Sequence, residues 1–412
     1  LGTYMTFLSL TLWAWETTGS APALALVGFF SQQASVTTTI FAGLIVDRFN
    51  RKYLILMGDA VSAAGTIAIG LLYWTQQLQI WHLYCIVFLA GGFSQIQTLA
   101  YQASISLIVP KQHYTRTGSM ASVVHYGSSI LGPALAGVLY PLVGLSGIVA
   151  VDLTTFAVAI GTLLVATIPQ PEPEPEPQPK PQQPSEPFWH KLTFGWRQIW
   201  RSPGLKALLL LTGLFTFAHD MGGALYSPMI LARTGGSSDA LASVSAMAGI
   251  GGVGGAIVVS VWGGPKCRIR GVLGGYIGAG LSKMVFGLGQ SLSVWMPAQV
   301  SSSLNFPLLS SARSALWMEQ VTPDTQGRVF AANSLALQTT SALAVLLAGP
   351  LADRLLEPAM LPGGALADAL APGFGSGPGA GIAVLYTVCA GAMLLVGIGG
   401  CWLPTLTSLS TE

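Results

Sequence analysis

Charge is what this chain has least of. Asp, Glu, Lys and Arg make up 8% of its 412 residues, against about 25% in an ordinary soluble domain. So few charges cannot cover a water-facing surface, which excludes a soluble globular protein. Net charge is +2 and no basic cluster exceeds a few residues, which excludes nucleic acid as a partner. Histidine and cysteine are scarce too, at 5 and 4. Cys85, Cys267, Cys389 and Cys401 lie far apart with no C-x-x-C pair and read as small apolar core residues. No metal-ligand spacing occurs, and His219 and Asp220 are adjacent rather than on one helical face. A Walker loop is missing, so ATP is not the energy source. No serine stands in a G-x-S-x-G setting. Neither enzyme chemistry nor a cofactor is expected.

What is present is apolar length. Hydrophobic residues reach 51% and glycine numbers 50, a composition that suits close helix packing in lipid. A membrane-crossing helix needs about 20 apolar residues. On that measure spans are predicted near 1–17, 22–45, 53–75, 80–108, 115–140 and 146–168. A second set follows near 205–230, 238–262, 270–290, 293–318, 327–355 and 380–403. The chain begins inside an apolar segment with no cleavable signal visible, and Leu1 in place of an initiator methionine implies that a few residues precede it. Between the two sets lies PQPEPEPEPQPKPQQPSEP, residues 169–187. Its alternating prolines fix φ and remove donors, so an extended, solvated spacer is expected. In the following FWHKLTFGWRQIWRSPG, Trp189, Leu192, Thr193, Trp196 and Trp200 share one helical face, with His190, Lys191, Arg197 and Arg201 around the rest. That pattern predicts an amphipathic helix at the headgroups. Three regions result: a six-helix bundle over 1–168, a linker over 169–204 and a second bundle over 205–412.

With residue 1 inside the cell, the inner loops hold Arg48, Arg51, Lys52, Lys111, Arg116, Lys180, Lys191, Arg197, Arg201, Lys206, Lys266, Arg268, Arg270 and Arg328. Only Arg233 and Arg354 stand opposite. The positive-inside rule then places both termini in the cytoplasm and the protein in the cytoplasmic membrane. The halves also echo one another. Pro110, Arg116 and Gly132-Pro133-Ala134 have counterparts in Pro323, Arg328 and Gly349-Pro350-Leu351. A parallel repeat of six helices, with the solute path between halves near the midplane, is a recognised transporter plan.

The loop GLIVDRFNRK, residues 43–52, resembles the G-x-x-x-D-R-x-x-R-[KR] signature between the second and third helices of the major facilitator superfamily. Gly43 permits close helix approach. Asp47 can pair with Arg51 and face a helix N-terminus, whose partial positive charge favours a carboxylate. Together with Arg48, Lys52 and Asp59 they are expected to form a breakable latch on the cytoplasmic side, although Arg48, Arg51 and Lys52 could merely set topology. The second half lacks the acidic residue, so any latch there is degenerate. In the fifth span, Gly127, Gly132, Pro133 and Gly137 are similar to the Gly/Pro-rich signature of proton-driven antiporters, and also suit plain helix packing. Residues 17–30, 315–334 and 349–367 are similar to the subfamily of macrolide efflux pumps and the enterobactin exporter. The resemblance implies an all-α fold of twelve transmembrane helices in two pseudo-symmetric bundles, usually monomeric.

Charges inside hydrocarbon cost about 2.5–3.5 kcal/mol each on insertion scales, so each needs a reason. Asp220, beside His219 in TFAHDMGGALYSP, sits midway along the seventh span. A desolvated carboxylate there suits proton coupling, with Glu16 or Arg313 as partners. Glu16, near Trp13 and Trp15, also reads as interfacial, and Asp152 as structural. Arg313 and Lys283 could each pair with a carboxylate or hold an anionic solute. Gln33, Gln95, Tyr101, Gln102, His125, Asn305 and Arg313 are candidates to line a cavity. Gln95, Tyr101 and Gln102 are expected to face inward, because amides facing lipid are costly. The expected function is secondary transport, a proton-coupled exporter of a small amphiphilic solute. A lipid flippase and a non-transporting scaffold subunit are the alternatives.

Overall fold

A computed structural model of the chain describes residues 1–18, 21–166, 193–375 and 377–407. Its principal helices are α1 (Gly2–Thr18), α2 (Ala21–Arg48), α3 (Arg51–Trp74), α4 (Ile80–Ile108), α5 (Tyr114–Val165), α6 (Phe194–Arg201), α7 (Pro203–Arg233), α8 (Ser238–Trp262), α9 (Arg268–Leu288), α10 (Leu292–Gln320), α11 (Gln326–Leu351) and α12 (Ala380–Cys401). No strand occurs among the described residues.

Nine described helical segments are long and apolar enough to cross a membrane. The long α5 counts once among them but holds two predicted spans, joined at Gly144, whose φ of 63° breaks the helical path. Two further predicted spans fall outside the nine. Helix α1 has 17 residues, and α10 is diluted by serines, Asn305, Pro297 and Pro307. The proline-rich spacer, with Trp189, His190, Lys191 and Leu192, lies outside the described residues. What is described of the amphipathic stretch is α6.

Helix boundaries follow local chemistry. Asn50 stops α2 and caps α3, its side chain accepting from the Lys52 N–H at 2.9 Å. Ser202 and Ser237 cap α7 and α8 in the same way, satisfying donors that a helix start leaves free. Gly263, at φ 85°, ends α8 in the left-handed region.

The chain folds as two compact units. The first comprises Leu1–Lys111, Gly127–Gln198 and Val321–Leu335. Its core joins Leu10, Trp13 and Ala14 of α1 to Ile69 of α3, Leu83 of α4 and Leu145 and Val149 of α5. At its centre Asp152, 1% exposed, accepts from Thr6 at 2.8 Å and Thr66 at 3.1 Å. A buried carboxylate that ties α1, α3 and α5 in this way is a structural node, since a buried polar group must be hydrogen-bonded. The second unit comprises Gln112–Tyr126, Ile199–Gln320 and Ala336–Glu412. There Met229, Val244, Phe286, Trp295 and Tyr386 build the core. Large apolar side chains such as Leu142, Val158, Leu346 and Leu395 remain exposed, as expected of faces that meet hydrocarbon rather than water.

Candidate functional site

In the first unit, the last turn of α2 lies against the first turn of α11. A Cβ at Gly43 would stand 2.7 Å from Arg328 Cα and 2.8 Å from the Gly327 carbonyl oxygen. No other residue fits there. That closeness brings Asp47 onto the start of α11. Its carboxylate accepts from the N–H groups of Gly327 (2.8 Å) and Arg328 (3.2 Å) and from Arg328 Nε (2.8 Å). Those backbone donors are ones that α11 cannot satisfy itself, and the helix dipole adds to the attraction. Arg328 is also covered from outside, its guanidinium 4.1 Å from the Phe194 ring centroid at the start of α6.

Arg51 is 1% exposed. Its planar fork donates to two carbonyls, Ala103 O at 2.6 Å and Pro323 O at 2.5 Å, with Asp47 and Asp324 as the carboxylates whose charge reaches it. Lys52 donates to the last carbonyls of α5, Leu164 O at 2.8 Å and Ala166 O at 2.7 Å. Arg48 is exposed. Asp59 stands apart from this cluster. It accepts from Gln97 at 2.8 Å and lines a lateral groove of about 350 Å³ with Ile55, Tyr101 and Ile105. The expectation that it extends the latch through Arg48 or Arg51 is therefore corrected: it sits two turns into α3, where α4 supplies an amide rather than a guanidinium.

The expected cavity residues divide. Gln95 accepts from Ser35 at 3.1 Å and donates to Ser334 at 3.2 Å, so it faces protein. Tyr101 is 46% exposed. Gln102 shares the face of Gln95, but Tyr101 is one residue earlier and about 100° round the helix. Gln33 and His125 are exposed. His125 meets Tyr126 edge-on, with ring centroids 5.4 Å apart. Glu16 accepts from Tyr140 at 2.9 Å, an exposed pair. Of the glycines in the fifth span, a Cβ at Gly132 would meet Tyr4 Cβ at 2.5 Å, whereas Gly127 and Gly137 face open space.

In the second unit the sequence candidates His219 and Asp220 lie within reach of the charge of Lys283, with Asn305 and Arg313 on α10. Lys283 is 8% exposed, and its ammonium lies 5.9 Å from the Phe306 ring centroid and 5.6 Å from that of Tyr386. Asp220 is the carboxylate whose charge reaches it. The His219 ring lies 4.7 Å from Phe306, and its Nδ1 is buried without a partner among the described residues. Arg313 hydrogen-bonds the Tyr276 phenol, which itself donates to Thr212 at 3.2 Å. Asn305 donates to Ser301 O at 2.8 Å. The signal available in the sequence was a lone lysine inside the apolar run GLSKMVFGLG. The second unit has its own ion pair, Arg268 with Glu319, although it lacks the acidic residue of the 43–52 loop.

Apolar helices that cross a membrane, with charges held in their interior, define a multi-pass membrane protein. The sequence profile of the Major Facilitator Superfamily matches residues 1–345, and the chain belongs to that family of transporters. Among relatives, macrolide efflux protein A of Streptococcus pyogenes is 23% identical over 342 residues, 82% of this chain and 83% of that protein. The protein of the same name from Enterococcus faecalis is 24% identical over 290 residues, 70% and 88% respectively. Among solved structures, a bacterial homologue of the iron transporter ferroportin, in an outward-facing state, aligns with a TM-score of 0.65 at 14% identity, covering 100% of this chain and 98% of that one. The E. coli fucose:proton symporter aligns at 0.64 and 11%, covering 97% and 98%. The fold is thus the major facilitator fold of twelve helices in two pseudo-symmetric bundles.

Proposed function

We propose that this transporter exports a small amphiphilic solute across the cytoplasmic membrane, coupled to protons, by alternating access of its two six-helix bundles. The observation that carries the reading is the three-bond attachment of Asp47 to the start of α11. Hydrogen bonds to a charged group contribute about 1.5–3 kcal/mol. A handful of them holds one conformer while remaining breakable within a transport cycle. A static scaffold would have no need of such a latch. The bundles correspond to residues 1–168 and 205–412, with 169–204 as the connection. Outward direction is supported by the efflux relatives and by the glycine and proline spacing of the fifth span. The inside excess of Lys and Arg supports cytoplasmic termini, and the protein acts as a monomer.

Coupling is assigned to Asp220. It is a half-buried carboxylate in the middle of an apolar helix, makes no ion pair among the described residues, and faces a buried ammonium. An ionisable group so placed in a membrane span is a functional candidate. The test is solute-elicited proton movement in proteoliposomes, followed with a pH-sensitive dye. A pH change elicited by one solute class and abolished in Asp220→Asn is the expected result. Full proton dependence in Asp220→Asn removes the coupling role. Passage of a labelled lipid, with no solute moving protons, replaces export by lipid flipping.

A further inference from the structure

The charges around Lys283 do not balance. Four helices of the second unit supply the charged and titratable groups there: α7 contributes His219 and Asp220, α9 contributes Tyr276 and Lys283, α10 contributes Arg313, and α12 contributes Tyr386 and Cys389. Asp220 is the one carboxylate among them and its charge reaches Lys283, while both Lys283 and Arg313 reach His219. Lys283 makes no hydrogen bond and no ion pair among the described residues, and its ammonium is held between the rings of Phe306 and Tyr386. Cation–ring contact at such distances is favourable, but it replaces little of the hydration that a buried ammonium gives up. Asp220, Asn305, Phe306 and Arg313 are half-buried whereas Lys283 is buried.

We infer that Lys283 is the anchor for a singly charged acidic group, a carboxylate or its equivalent, at one end of the transported amphiphile, whose apolar body lies along the half-buried Phe306. The inference rests on the transport reading and names the solute class for it. With a proton on Asp220 the charge of the Lys283 ammonium is left unmatched, and one negative group on the solute neutralises it. A solute bearing an ammonium meets two cations and is repelled. The aromatic faces supply apolar contact without asking for hydrogen bonds. Asp220 competes with the solute for the same ammonium, so a proton on Asp220 favours loading. Solute and proton then cross together, in contrast to the exchange that the glycine and proline spacing of the fifth span suggests.

The test uses the full chain in lipid nanodiscs and three probes of one shape: 2-naphthylacetate, 2-naphthylethylammonium and 2-naphthylethanol, measured by equilibrium dialysis. The carboxylate is expected to bind about tenfold tighter than the alcohol, and the ammonium more weakly than either. Lys283→Gln should bring the carboxylate down to the alcohol's level, Lys283→Arg should keep most of the preference, and Asp220→Asn should tighten carboxylate binding. Three results overturn the inference: equal binding of alcohol and carboxylate, carboxylate binding untouched by Lys283→Gln, or Asp220→Asn without effect. The third still decides if the Lys283→Gln protein does not fold. Carboxylate-selective binding without solute-elicited proton movement in liposomes would leave this site standing and remove the proton coupling. Loss of the preference with proton movement intact would do the reverse.

Discussion

Asp47 satisfies three donors at once, two of them backbone N–H groups at the first turn of α11. Its importance is as an acceptor as much as a charge. Asp47→Ala leaves all three donors without their partner, at about 1.5–3 kcal/mol for a charge-assisted contact. The amides of Gly327 and Arg328 should then exchange hydrogen about tenfold faster or more, read by hydrogen–deuterium exchange in nanodiscs. Unchanged protection at these two amides would show that the latch is held by something other than Asp47. The sequence made this carboxylate suspect and told us it wants a helix start. It could not say which one, because the partner lies 280 residues away and every helix offers the same free donors. The same limit hid Gln97 as the partner of Asp59 and two plain carbonyls as the partners of Arg51. Side-chain chemistry states what a group needs, while the register of packed helices decides who supplies it.

Elements differ in how much they ask of their glycines. At Gly43 and Gly132 a neighbouring helix comes closer than a Cβ allows, whereas Gly127 and Gly137 have nothing within 4 Å. Gly43→Ala and Gly132→Ala should each destabilise by about 1–3 kcal/mol, as overpacking does. Gly127→Ala and Gly137→Ala should leave the unfolding midpoint unchanged or raise it, since alanine favours helix over glycine. Thermal unfolding of the four purified variants separates the pairs, and a loss at Gly127 comparable to that at Gly132 would contradict the packing described. The glycine and proline pattern was legible as a motif. Which of its members touch a neighbour was not, because i and i+5 positions on one helix point to different surroundings. The two spans inside α5 were likewise legible from apolar length, but the break between them rests on the positive φ of Gly144, one glycine among several in that stretch.

On the scale of the whole molecule, the glycine and proline spacing of the fifth span points to exchange of solute for protons, and the charge cluster of the second unit points to movement in one direction. The two are separated by the sign of one signal. With dye inside proteoliposomes and an aryl sulfonate added outside, co-movement acidifies the lumen and exchange makes it alkaline. Acidification that disappears in Lys283→Gln is expected, and alkalinisation would restore the exchanger. A sulfonate serves because it stays ionised and does not cross lipid unaided. The family and its transport activity were readable from the 43–52 loop and from the apolar spans, which are properties of linear sequence. The cluster around Lys283 was not. It draws one or two residues from each of four helices, each unremarkable within its own run.

Lys52 has a consequence of another kind. Its ammonium grips the carbonyls of Leu164 and Ala166, the last turns of α5 before the chain runs on toward the linker. A helix end pulled by its continuation unwinds from that end, one turn after another. Here that end is held to the first turn of α3, as a clamp holds the end of a cable.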